Sequence, residues 1–308
     1  MIYSGVLIAT GRWSEAEDEL TAALRAVEEK FPHEKVHSLS RLALLCVRRG
    51  RLEEAGQFLS GVESQGLAAE ASASLHLARG QASLAAALLE RRLGAVGDGL
   101  PAVPLLGLLV EAKLILKDPV AARAAAVRLG EIAERSKRPP IQALAILAAG
   151  RAERARGGDA CELLESACAL FEQSGMPFES AVARLEWARS LAAGEREIAA
   201  EDARVALAAF EKLGARPHAD QAALLLRDLG LGSRPGPRTS GDLTRREDDV
   251  LGLLSHGLSN AEIGSRLFIS PKTVEHHVGR ILSKLGLRNR AEAVAWAIRN
   301  ASAGSGEK

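Results

Sequence analysis

From residue 1 to about residue 229 one pattern recurs along the chain: an apolar helical stretch, a short Gly or polar turn, then an Ala-rich amphipathic stretch. Gly11, Gly50, Gly80, Lys117, Gly157 and Gly194 mark the turns, at intervals of 39, 30, 37, 40 and 37 residues. Five residues after the first four stand Ala16, Ala55, Ala85 and Ala122, where a small side chain lets the two helices of a pair approach closely. Intervals of this size belong to helix-pair repeats. The pattern therefore predicts an all-α solenoid of imperfect units.

Gly11-Arg12-Trp13-Ser14-Glu15-Ala16 and Gly50-Arg51-Leu52-Glu53-Glu54-Ala55 resemble the second helix of a tetratricopeptide unit most closely, and the other units are degenerate. Residues 1–229 are thus expected to form a tetratricopeptide-like helical repeat domain. A single pair cannot bury its apolar face and must stack on its neighbours, which leaves a curved surface on one side. That surface is expected to bind a partner or signal, the alternative being a spacer or an oligomerisation module. The sequence names no ligand for it. The chain opens inside an apparent helix, Ile2 to Ile8, with no capping repeat before it. Its edge is expected to be exposed, to pair with another chain, or to mark where a longer ancestor was cut.

Between 230 and 242 the sequence GLGSRPGPRTSGD holds four Gly and two Pro without an apolar period and reads as a linker. Beyond it a compact domain is predicted over 243–302, with 303–308 as a flexible tail. Thr244 with Glu247, and Ser259 with Glu262, have the spacing of capping boxes; Ser270 before Pro271 is an N-cap with proline at the first helical position. Gly257 and Gly286 are placed to close the first and third helices, and a fourth runs from about Asn289 to Asn300. Val250, Leu251 and Leu254 line the first helix, Ile263 and Leu267 the second, and Val274, Val278, Ile281 and Leu285 the third, so one stripe per helix faces a common core. The short connection ending at Ser270 makes the second and third a helix-turn-helix. The third helix keeps a polar outer face of Lys272, Glu275, His276, Gly279, Arg280 and Ser283, with Gly279 allowing close approach to another surface.

Composition sharpens this picture. With 47% hydrophobic but only 3% aromatic residues, the core must come mainly from Leu, Ala, Val and Ile. Three cysteines, Cys46, Cys161 and Cys168, in 308 residues give neither a disulfide framework nor a metal-type pair and fit a reducing cytoplasm. The first residues lack the basic start and unbroken apolar run of a signal peptide, and nowhere do eighteen apolar residues run together, so no membrane partner is expected. The net charge of +1 hides an asymmetry: residues 230–308 carry 12 Lys/Arg against 8 Asp/Glu, and residues 1–229 carry 28 against 31. The basic excess falls on the helix-turn-helix, as nucleic-acid binding requires.

Leu243-Thr244-X-Arg246-Glu247, Gly257-X-Ser259-Asn260-X-Glu262-Ile263, Ile269-Ser270-X-X-Thr273-Val274-X-X-His277 and Lys284-Leu285 together resemble the LuxR-type helix-turn-helix domain of bacterial transcriptional regulators, over residues 243–297. Asp248, Asp249 and Gly264 depart from the usual pattern, Gly264 loosening the second helix by up to about 1 kcal/mol. The resemblance implies that the third helix enters the major groove of double-stranded DNA. Glu275, His276, Gly279 and Arg280 would then stand at base edges, where Glu275 can accept from a cytosine amino group and Arg280 can donate to guanine or phosphate. Lys272, Thr273, His277 and Lys284 would stand at phosphates, which position the helix without reading sequence. Two other readings stay open: Glu275 pairs with Arg280 or Lys272, and His277 packs near Val278. The resemblance also implies a homodimer through the fourth helix, with Ala291, Val294, Ala295 and Ile298 as the seam, an inverted-repeat site, and RNA polymerase as a partner. The repeats resemble the helical region that precedes this domain in large maltose-activator-like LuxR regulators, without the ATPase module.

Signals for other classes are weaker. His33-Glu34-Lys35-Val36-His37 matches His-Glu-X-X-His, two zinc-binding histidines one turn apart with a glutamate base, but no clear third ligand follows. No metal site and no enzyme are expected. Cys161 and Cys168 read as small core residues rather than a redox pair. A phosphate-binding Gly-X-X-X-X-Gly-Lys-Ser/Thr loop is absent, so no cofactor and no nucleotide control are expected. Phe268 and Trp296 make no stacking platform for RNA.

Overall fold

The computed structural model describes residues 2–26, 32–230, 243, 245–267, 269 and 271–303. Two compact units emerge, Met1–Gly232 and Ser233–Lys308. Apart from Gly230 the predicted linker lies outside the described residues, as do Thr244, Phe268, Ser270 and residues 304–308. Among the described residues there are seventeen α-helices and no strand.

The first unit is built from pairs: α1 (Ile2–Ala9) with α2 (Trp13–Ala26), α3 (Pro32–Arg49) with α4 (Leu52–Leu59), and α5 (Ala69–Ala78) with α6 (Ala82–Val96). Next come α7 (Ala102–Ile115) with α8 (Pro119–Ser136), α9 (Pro139–Ala155) with α10 (Cys161–Gln173), α11 (Pro177–Leu191) with α12 (Arg196–Leu213), and then α13 (Arg216–Asp228). Each turn marker of the sequence falls inside a pair. Gly11, Gly50, Gly80, Lys117 and Gly157 take φ of 77, 81, 74, 58 and 78°, the left-handed region. At each, the N–H of the following residue donates to a carbonyl five positions before it: Arg12 to Leu7, Arg51 to Cys46, Gln81 to His76, Asp118 to Lys113 and Gly158 to Glu153, at 2.8–3.1 Å. This is the Schellman closure, which satisfies carbonyls that a helix end leaves orphaned. Lys117 holds that conformation at a steric cost of about 1 kcal/mol that glycine avoids. Ala16, Ala55, Ala85 and Ala122 are all 0% exposed, and so is Ala199, five residues after Gly194.

Periodicity predicts a row of pairs open at both ends, and here the structure differs. The first helices of successive pairs pack on one another from α3 through α13, and α13 returns to α3. The row closes on itself. At the closure Leu7, Ile8 and Trp13 of the first pair share one core with Phe178, Leu185, Ala206 and Phe210. The rings of Trp13 and Phe178 meet tilted at 59°, 5.3 Å between centroids, and Phe178 meets Phe210 at 6.0 Å, edge on. The chain has six Phe, three Trp and one Tyr, and Trp13, Phe178 and Phe210 of these meet at this seam, with Phe58 packed against it. A Cβ on Gly11 would stand 2.7 Å from Leu213 and 2.9 Å from Pro177, and one on Gly50 would stand 3.1 Å from Pro217. These two glycines therefore serve the approach of the last helices as well as their own turns. The edge expected to be exposed is accordingly half covered: Leu7 and Ile8 are buried, while Tyr3 and Val6 remain 52% exposed. The predicted curved surface becomes the wall of a central cavity of about 660 Å³, lined from α3, α5, α7, α9, α11 and α13.

Candidate nucleic-acid interface

The second unit consists of α14 (Arg245–Ser255), α15 (Asn260–Leu267), α16 (Pro271–Leu285) and α17 (Arg290–Ala303). Val250, Leu251, Leu254, Ile263, Val274, Ile281 and Ala293 form its buried core, with Leu267, Val278 and Leu285 packed against it, so the stripes read from the sequence meet as expected. Gly257 and Gly286 close α14 and α16 with φ of 77 and 66°. Ser259 and Glu262 form the capping box: the Ser259 N–H donates to Glu262 at 2.7 Å, and the Glu262 N–H donates to the Ser259 hydroxyl at 3.3 Å. Hydrogen bonds from the Ser259 hydroxyl and N–H hold the Glu262 carboxyl below its ordinary range. Between α15 and α16 the Ile269 N–H donates to the carbonyl of Gly264 at 2.9 Å, which fixes the turn. The start of α17 is tied back to α15 by Arg290, whose guanidinium donates to Asn260 at 2.7 Å and to the carbonyl of Leu258.

The faces of α16 are now assigned by burial. Lys272, Glu275 and Gly279 are exposed, and Thr273 and His276 are half-buried beside them. Lys272 pairs with Glu275 at 3.2 Å, the ion pair left open by the sequence, and with both side chains half or more exposed it adds little stability. His277 takes the packed position that the sequence also left open. It is 3% exposed, between the fully buried Val274 and Ile281, so its ring is part of the core. Its i+3 spacing from Val274 is the sequence signal for that position. Arg280, drawn on the outer face from the sequence, and Lys284, expected at a phosphate, both turn toward the first helix of the unit. They flank Glu247 of α14, a carboxylate 1% exposed, with Lys284 at 2.8 Å and the Arg280 Nε at 3.8 Å. Glu247 thus docks the third helix onto the first, a role its capping-box spacing hid. The Ser283 side chain lies outside the described set.

On α17, Ala291 and Ile298 are exposed and Ala295 is half-buried, whereas Val294 packs against the core of its own unit. Elsewhere, His37 of the His-Glu-X-X-His segment accepts a hydrogen bond from Arg41 at 3.1 Å, and Val36 between the histidines is 3% exposed. Burial pushes the Cys168 thiol up to about 11 and the Cys161 thiol up to about 12, so both stay protonated at neutral pH. No described helix is long and apolar enough to cross a membrane.

Residues 242–297 match the family of bacterial regulatory proteins named for luxR. The putative HTH-type transcriptional regulator Mb0914c of Mycobacterium bovis is 44% identical over 81 residues, 26% of this chain and 9% of that protein. The DNA-binding transcriptional activator DevR/DosR of Mycobacterium tuberculosis is 41% identical over 76 residues, 25% of this chain and 34% of its own. The transcriptional regulatory protein DegU of Brevibacillus brevis is 50% identical over 58 residues, 19% of this chain and 25% of its own. The chain therefore spans only a minor part of the curated relatives it matches. The bond from Ile269 to Gly264 between α15 and α16, the capping box at Ser259 and the polar outer face of α16 fall within the matched segment, and the C-terminal unit is a helix-turn-helix domain of the luxR family of bacterial regulatory proteins.

Proposed function

We propose that the chain is a DNA-binding transcriptional regulator whose helix α16 reads a specific site on double-stranded DNA. The observation that carries this reading is the family match over residues 242–297, which lies inside the basic stretch 230–308. In this account Glu275, His276 and Gly279 face base edges in the major groove, and Lys272 and Thr273 face phosphates. Releasing Lys272 to a phosphate breaks its pair with Glu275 and frees that carboxylate to accept from a cytosine amino group. Arg280 and Lys284 reach DNA only by exchanging Glu247 for it, so base reading by Arg280 competes with the docking of α16. A homodimer through Ala291, Ala295 and Ile298 of α17, with Val294 behind them, presents two such helices to an inverted repeat and contacts RNA polymerase from there.

The repeat unit receives the signal or partner that sets when the helix binds. The protein acts in the cytoplasm, without catalysis and without a cofactor. Sequencing of genomic DNA captured by the full chain tests this directly. The expected result is an enriched, two-fold symmetric motif that Glu275→Ala and His276→Ala degrade; capture without any shared motif would remove the reading.

A further inference from the structure

The lining of the central cavity is polarised. Leu108 and Ile115 of α7 and Leu144 and Leu147 of α9 give it an apolar side. Five charged side chains share the rest: Arg48 of α3 and Arg151 of α9, against Glu70 of α5, Glu111 of α7 and Glu179 of α11. Four of them are paired, Arg48 with Glu179 at 2.9 Å and Arg151 with Glu111 at 3.8 Å. Glu70 is the fifth. Among the described residues its carboxyl forms neither an ion pair nor a hydrogen bond. Burial holds that carboxyl above its ordinary range, Arg48 and Arg41 do not offset this, and nearby Glu179 adds to it. The lining thus carries one negative charge more than positive.

The ion pair beside Glu70 is only half used. One terminal nitrogen of Arg48 donates to one oxygen of Glu179, while the other nitrogen and the other oxygen are buried and make no hydrogen bond. Buried donors and acceptors are as a rule paired. Here one of each stands at the same ion pair, with the Arg48 guanidinium held 4.3 Å over the Phe178 ring. Toward α13 the field turns positive: burial and then Arg48, Arg151 and Arg189 press the pKa of His218 down to about 4. A ligand head therefore meets acceptors at Glu70 and Glu179 and a donor at Arg48. A lone carboxylate leaves the Glu179 oxygen unsatisfied and is repelled by Glu70. A plain amine leaves the Arg48 nitrogen unsatisfied. An ammonium with a neutral acceptor beside it answers all three.

We propose that this cavity binds a small apolar amine with a neutral oxygen acceptor beside its nitrogen, the class of which the amide of an apolar amino acid is a simple member. Its ammonium donates to Glu70 and Glu179, its oxygen accepts from Arg48, and its hydrocarbon body lies against Leu108, Ile115 and Leu144. A volume of about 660 Å³ lies in the range of small-molecule sites. The proposal rests on the reading that the repeat unit receives a signal, and supplies its chemical class.

Calorimetric titration of the full chain with leucinamide and phenylalaninamide tests the site. Isocaproamide is leucinamide without its amino group, isoamylamine is leucinamide without its carboxamide, and leucine carries a carboxylate in place of the neutral amide. Saturable one-to-one binding is expected for the amino amides, weakened about tenfold or more in each of these analogues, as loss of a charge-assisted hydrogen bond or addition of an unmatched charge requires. Glu70→Gln keeps the shape and removes the unpaired charge. It is expected to weaken leucinamide about tenfold while leaving the urea midpoint of the repeat unit unchanged or raised, whereas a purely structural Glu70 would lower it. Leu108→Trp fills the lumen without touching a charge and is expected to abolish binding while the helical circular dichroism stays unchanged. Absence of binding by both amino amides, equal binding of any analogue, or full binding by Glu70→Gln or Leu108→Trp would overturn the proposal. Affinity for a captured DNA site, measured with and without leucinamide, separates the two levels. An unchanged DNA affinity contradicts the signalling role and leaves the site standing.

Discussion

The two units of this chain solve the same problem, burying charged side chains among helices, with opposite results. In the C-terminal unit one carboxylate, Glu247, takes up Lys284 and Arg280, and the outer face of α16 is left with exposed polar groups for recognition. In the repeat unit Arg48, Arg151, Glu70, Glu111 and Glu179 line one cavity, and buried atoms of Arg48, Arg151 and Glu179 keep hydrogen-bonding capacity inside the fold. A recognition surface can point outward when each buried charge behind it is matched.

Breaking the closure of the repeat unit is expected to have the largest effect. Phe210→Ala removes a fully buried ring from the seam, so the transition of the repeat unit in a urea melt should fall by about 3–5 kcal/mol, with that of the C-terminal unit unmoved. Acid sharpens the contrast next. His218 has an ordinary value of 6.5 and a folded value of about 4, so the unfolded chain takes up its proton first. The repeat unit should therefore keep its full stability above pH 6.5 and lose up to about 3 kcal/mol as pH falls toward 4. His218→Gln should flatten that part of the profile, read by urea denaturation at pH 7 and 4.5. For the C-terminal unit, Glu247→Gln weakens the link between α14 and α16 and should cost about 2 kcal/mol, visible as an earlier transition in Trp296 fluorescence. The smallest effect is expected from Ser259→Ala, which removes one half of the capping box and should cost about 1 kcal/mol in the same melt.

Legibility in the sequence follows the range of the interactions. Gly11, Gly50, Gly80 and Gly157 could be read because a left-handed turn selects glycine locally, and Ala16, Ala55 and Ala85 because close helix contact inside a pair selects a small side chain. Gly97, Gly175 and Gly214, between pairs, carry the same left-handed signal and escaped the count of repeats because they fall between its intervals. The meeting of Trp13 with Phe178 was not legible, since periodicity describes neighbours and this contact joins the first pair to the sixth. Likewise Glu247 has a local reading as a cap and a distant one as the partner of Lys284, and only the local one is visible in the sequence. On α16, the spacing of Val274 and Ile281 supports the packed reading of His277 that the sequence left open beside the phosphate one. The outward face of Lys272, Glu275 and Gly279 was legible because it is the complement of that same stripe.

The central claim is that α16 reads DNA, and its most direct test is fluorescence anisotropy of the full chain on its captured duplex across a range of salt. Affinity is expected to fall linearly on logarithmic axes as salt rises, with Lys272→Ala reducing the slope by about one. Glu275→Ala should instead leave the slope in place and relax the preference for one base pair. Salt-independent retention, or no retention even at low salt, would contradict the account.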